Sequence, residues 1–214
     1  MKPESAPEST SRVTAAGVYE AIAYVAPVVL WCVLVWSRLT AFAHEGSYTA
    51  LLSAVQMSIM AAMLTLRGQP RAADRSVSSL LAAWAGNFLP FLLVLESRNT
   101  SLGSLPLAVQ TVALLLSTAA ILSLRTRVSI APGNRGICTS GLYRYARHPM
   151  YSSAILGQAA VVMEYPSLLN FTVLLAASAF KWRMIANEEK LLLRDQEYVE
   201  YCKTVRHKVI PGVV

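Results

Sequence analysis

The sequence predicts an all-α, polytopic membrane helix bundle. Of its 214 residues 55% are hydrophobic, only 14% are charged, and the mean hydropathy is +0.46. A soluble domain carries ~25% charged residues, so an ordinary globular enzyme is excluded. The third observation is segmentation, because the uncharged residues fall into separate runs of membrane-crossing length.

Four such runs, 21–37, 47–66, 76–95 and 99–124, lie near or above the roughly 20 residues a helix needs to span a bilayer. They predict four spanning helices. Short polar loops between them imply antiparallel neighbours. Two further runs, 149–163 and 165–180, are shorter and meet at Glu164-Tyr165-Pro166. They predict a C-terminal helical hairpin whose turn lies near the far membrane surface. Lys181 to Glu200 has high helix propensity and many charges, which carries the last helix out into water. Residues 1–16 are polar, with Ser, Pro and Glu prominent, and predict a disordered tail. The chain thus divides into that tail, a four-helix transmembrane part (17–124), and a part with a long loop, the hairpin and a C-terminal helix (125–214).

Basic residues set the orientation. With a cytoplasmic N-terminus, 17 of the 19 Lys and Arg residues lie inside and only Arg38 and Arg98 outside. The positive-inside rule therefore predicts cytoplasmic termini in the plasma (inner) membrane. The net charge of +7 follows from that topology and from anionic lipid, with no nucleic acid required. Cys32, Cys138 and Cys202 show no paired spacing, and His44 and His207 have no neighbouring ligands of metal spacing, so neither disulfides nor a metal site is expected. Gln56, Asn87 and Gln158, polar in apolar runs, read as interhelical hydrogen-bonding groups.

Functional chemistry concentrates in 141–151, Gly-Leu-Tyr-Arg-Tyr-Ala-Arg-His-Pro-Met-Tyr, on the cytoplasmic side. Arg144, Arg147 and His148 can meet carboxylate or phosphate, while Tyr143, Tyr145 and Tyr151 offer ring faces and hydroxyls. Taken alone, the same residues also suit headgroup contacts and an interfacial aromatic belt. Upstream, Pro132-Gly133-Asn134 and Gly136 predict an irregular loop.

With the elements that follow, this segment resembles the isoprenylcysteine carboxyl methyltransferases and the related phospholipid N-methyltransferases. The resemblance rests on Gly141-Leu142-Tyr143, Arg147-His148-Pro149-Met150-Tyr151, the apolar hairpin, Arg183, Glu188-Glu189, Tyr198, Tyr201 and Ile210-Pro211. It covers the last 80 or so residues. It implies S-adenosylmethionine as cofactor, bound on the cytoplasmic face by Arg135, Gly136, Ile137, Cys138, Tyr143, His148, Pro149, Met150, Tyr151 and Glu188. It further implies a lipophilic small-molecule or lipidated acceptor admitted sideways from the bilayer, membrane lipids as partners, and Arg183 and Glu188 as the catalytic pair.

In the family, the arginine precedes its glutamate by four residues; here that position is Asn187, and Glu188 is five residues on, about 140° around an ideal helix. Asn187 replaces the carboxylate, or a one-residue bulge restores the alignment, or Arg183 is not the family's arginine. Glu188 with a bulge is the favoured reading. Two rival functions share the scaffold. One is a sterol-reductase-like oxidoreductase using a nicotinamide cofactor; the other is a non-catalytic membrane scaffold.

Overall fold

The computed structural model describes residues 22, 25–46, 48–93 and 99–210. The tail 1–16, Glu20, the start of the first span, Arg98 and Pro211 lie outside the described residues. The architecture is an all-α polytopic bundle, as expected. Its helices are α1 (Ala26–Glu45), α2 (Tyr48–Thr65), α3 (Val77–Phe88), α4 (Leu105–Leu124), α5 (Pro149–Glu164), α6 (Leu168–Leu192) and α7 (Gln196–Thr204).

Among the described residues four helices are long and apolar enough to cross a membrane: α1, α2, α4 with its 3-10 extension to Arg127, and α6. This set differs from the four spans expected. The third run yields only the 12-residue α3 and a 3-10 turn, Leu89–Leu92, whereas the second hairpin helix extends over 25 residues. Pro90 explains the shortening. Leu89 still donates its amide to Ala85, but Pro90 has no N–H for the next carbonyl, Gly86. That carbonyl is taken by the Lys181 ammonium of α6 instead, so a lysine buried to 2% exposure ends a helix rather than facing lipid.

α4 packs against α5 and α2, α1 against α2, and α3 against α6. The α3–α6 contact is close. A Cβ on Gly86 would lie 2.8 Å from the Met184 sulfur, and Met184 and Ile185 sit in a core with Ala82, Ala83 and Ile121. Gln56 donates to Ser117 at 2.6 Å, which joins α2 to α4 within the apolar layer as expected of it. Outward faces are apolar: Val29 and Val33 are each 57% exposed and Trp36 71%. Such exposure suits lipid, not water.

Two features position the loop 125–148. Residues Ala72–Ala73 and Gly133–Asn134 form a short antiparallel ladder, flanked by Arg71 N–H to Asn134 at 2.7 Å and Asp74 N–H to Pro132 at 3.1 Å. The α2–α3 connection thereby grips the loop from below. At the hairpin's far turn Ser167 caps α6 by accepting from the Asn170 amide, and Asn170, fully buried, donates to the Tyr165 carbonyl at 2.7 Å. The Glu164 carbonyl accepts from Asn99 at 2.7 Å, so the turn docks beside the start of α4.

A candidate cofactor site at one end of the bundle

Gly141 sets the geometry of the aromatic segment. Its φ is +60°, and a Cβ there would overlap the Ser123 hydroxyl and stand 2.8 Å from Ser123 Cβ. Only glycine lets the 3-10 turn Gly141–Arg144 lie this close to α4. That turn buries Tyr143 beside Cys138 and Ala120. Pro149 then opens α5 at its first position, where a missing amide costs nothing.

His148, just before that helix, is 4% exposed and anchors the site. Its Nε2 lies 3.0 Å from Glu189 Oε1, and its Nδ1 lies 3.8 Å from Glu188 Oε2. The two glutamates, 100° apart on α6, thus flank one imidazole. Glu189 is the buried member. Its Oε1 also accepts from the Tyr198 hydroxyl at 2.7 Å, and Arg147 Nε stands 3.4 Å away, poorly aligned for a hydrogen bond but close enough to supply charge. Arg147 directs Nη1 to the Cys202 sulfur at 2.8 Å. Glu188, with its side chain 24% exposed, accepts from the Tyr151 hydroxyl at 3.0 Å and opens on a cleft.

That cleft is walled by three parts of the chain. One wall is the loop, with Arg127, Ser129, Gly133, Arg135, Gly136, Ile137 and Cys138; the second is Tyr143 and 147–151; the third is Glu188 and Leu192 with Tyr198 and Tyr201 of α7. Arg135 is fixed by bonds to Ser129 at 2.7 Å and the Gly68 carbonyl at 3.2 Å. Gly136 turns the loop at φ +93°, its amide received by Asn134, whose amide group donates to Asp195 at 2.7 Å.

Burial first, then the nearby Glu188, pushes the Tyr143 hydroxyl well above its ordinary range. Tyr198 is raised by burial and then by its bond to Glu189, and Tyr201 chiefly by burial. All three stay protonated at neutral pH, as donors rather than bases. Tyr201 donates to the Tyr143 carbonyl at 2.5 Å, tying α7 to the turn. The chain's last described residues strap the same segment from outside: His207 and Lys208 carbonyls accept the Arg147 and His148 amides at 3.0 and 2.7 Å.

Of the residues named from sequence, Arg135, Gly136, Ile137, Cys138, Tyr143, His148, Met150, Tyr151 and Glu188 line one cleft. Pro149, buried at the start of α5, adjoins it. Arg183 does not line it. It is exposed on α6, which runs as continuous α-helix with no bulge, so 140° separates it from Glu188. The bulge expected from the sequence is therefore absent. Asn187 points the other way, donating to Ser79 of α3 at 2.7 Å, and Ser79 in turn bonds Asp74. Sequence reasoning missed Glu189, Arg127 and Leu192 as site members. The adjacency of two glutamates concealed that each has its own side of His148.

Fold and site define a multi-pass helical membrane protein with one polar, ring-lined cleft at a bundle end. Residues 99–196, from just before α4 to the start of α7, match the model of the phospholipid methyltransferase family, which is among the families that the motifs resemble. No curated protein matches the chain.

Proposed function

We propose that the protein transfers a methyl group from S-adenosylmethionine to a lipophilic acceptor at the cytoplasmic membrane face. One observation carries this reading: within the matched segment, Glu188 lines one cleft together with Arg127, Arg135, Tyr143 and Tyr151. Those groups fit the cofactor's parts. A carboxylate answers its ammonium, guanidinium groups its carboxylate, ring faces its sulfonium, and Ile137, Met150 and Leu192 an adenine ring. When bound, the cofactor supplies an electrophilic methyl group.

The protein's own part is placement. Glu188 is oriented by Tyr151, and His148 is held by Glu189, so the cofactor-facing groups are fixed in advance. Tyr143, whose hydroxyl makes no hydrogen bond among the described residues, keeps a donor aimed at the cleft region. An acceptor already ionised needs no dedicated base, and the buried aromatic walls exclude water. The 17 to 2 distribution of basic residues supports a cytoplasmic position for this end. Arg183 can orient an acceptor only along the exposed face of α6, outside the cleft. The test is product mass after incubating purified protein with labelled S-adenosylmethionine and a membrane lipid extract. Transfer of label to a lipid-soluble product supports the reading; no transfer and no cofactor binding removes it. The arginines of the loop also suit the phosphates of a nicotinamide dinucleotide, and titration with that cofactor separates the oxidoreductase reading.

A further inference from the structure

A second cavity lies at the opposite end of the bundle, with a volume of about 1,440 Å³ including its mouth. α4 links the two sites: Leu124 lines the cofactor cleft and Gln110 this cavity, 14 residues or ~21 Å along the helix. Arg38 of α1 and Gln110 both line it, and both are half-buried. Neither side chain makes a hydrogen bond or ion pair among the described residues. In contrast, Gln56 one layer deeper is satisfied by Ser117. Polar heads on membrane helices are costly unless water or a ligand meets them. The lining also holds apolar side chains, among them Met57, Leu107 and Val161. The rim also holds Glu164, which has a partner of its own.

We propose that this cavity binds one phospholipid from the leaflet opposite the cofactor cleft, its phosphate seated on Arg38 and Gln110 and the start of its acyl chains on the apolar lining residues. A guanidinium and an amide N–H₂ are complementary to phosphate oxygens, and arginine meets phosphate in a two-pronged contact. The apolar lining residues select a lipid over free phosphate. Seated there, the lipid would bridge α1 and α2 to α4 and α5, the elements that wall the cavity.

The test uses the full chain, delipidated in detergent and titrated with phosphatidylglycerol, with binding read by thermal shift and by native mass spectrometry. Diacylglycerol of the same chains and inorganic phosphate serve as headless and tailless controls. The proposal expects one retained phosphatidylglycerol, no shift with either control, and at least tenfold weaker binding in both Arg38→Gln and Gln110→Leu, with a smaller loss in Arg38→Lys, which keeps the charge without the two-pronged contact. Equal affinity in Arg38→Gln and wild type would overturn it. So would an equal shift from diacylglycerol, or displacement of the lipid by inorganic phosphate.

Discussion

The Tyr151 hydroxyl donates to Glu188 Oε2 at 3.0 Å, and this contact orients the α6 carboxylate that lines the cleft. Asn187, one position earlier, spends its amide on Ser79 of α3. Asn187→Ala is therefore expected to lower stability by about 1 kcal/mol, the typical loss of one hydrogen bond, with cofactor affinity unchanged. Arg183→Ala, at an exposed site 140° from Glu188, should leave cofactor affinity within twofold and turnover within about threefold. Calorimetric binding and initial rates check both. A tenfold loss of turnover in Arg183→Ala would place the acceptor on the exposed face of α6.

Glu189 is the structural partner of Glu188. With His148, Tyr198 and Arg147 converging on one oxygen, removing its charge strands buried donors. Glu189→Gln is expected to cost about 3 kcal/mol or more of stability, and Tyr198→Phe about 1. Chemical denaturation in lipid nanodiscs measures both. Wild-type stability in Glu189→Gln would mean the network does not hold the site.

Lys181 and Pro90 should be energetically coupled through the Gly86 carbonyl that one vacates and the other occupies. Lys181→Met is expected to destabilise by about 1–3 kcal/mol in wild type, since it leaves a buried carbonyl unpaired. In a Pro90→Ala background the restored helical amide should reduce that loss. A double-mutant cycle reads the coupling, and strict additivity would refute it.

Topology is tested by cysteine labelling in a background freed of native cysteines. Ser101→Cys, at the end of the bundle that holds the Glu164 turn, should label only from outside sealed cells. Thr204→Cys, on α7 beside the cofactor cleft, should label only from inside. Labelling of Ser101→Cys from the cytoplasm would invert the orientation.

The fold class was legible because apolar runs of membrane length are a one-dimensional signal. What composition could not show was where those runs stop being helix. The run 76–95 is uncharged throughout, yet Pro90 breaks its ladder, and Lys181 looked like the start of a water-exposed segment although it caps a helix far away in sequence. The site was legible for most motif residues, since 135–138, Tyr143, Arg147, His148, Met150 and Tyr151 line one cleft, whereas Arg144 and Tyr145 do not. The division of labour between Glu188 and Glu189 was not, because it depends on how α6 is rotated. The α3 contact through Asn187 and Ser79 and the buried place of Met184 fix that rotation, and both involve residues a hundred positions apart.

The most direct test of the account is calorimetric titration of the purified protein, in nanodiscs, with S-adenosylmethionine. Wild type should bind one equivalent, and Glu188→Gln and His148→Ala should each weaken binding tenfold or more, about 1.4 kcal/mol, while remaining folded. No binding by folded wild-type protein, or equal affinity in all three, would contradict the assignment of this cleft to the cofactor.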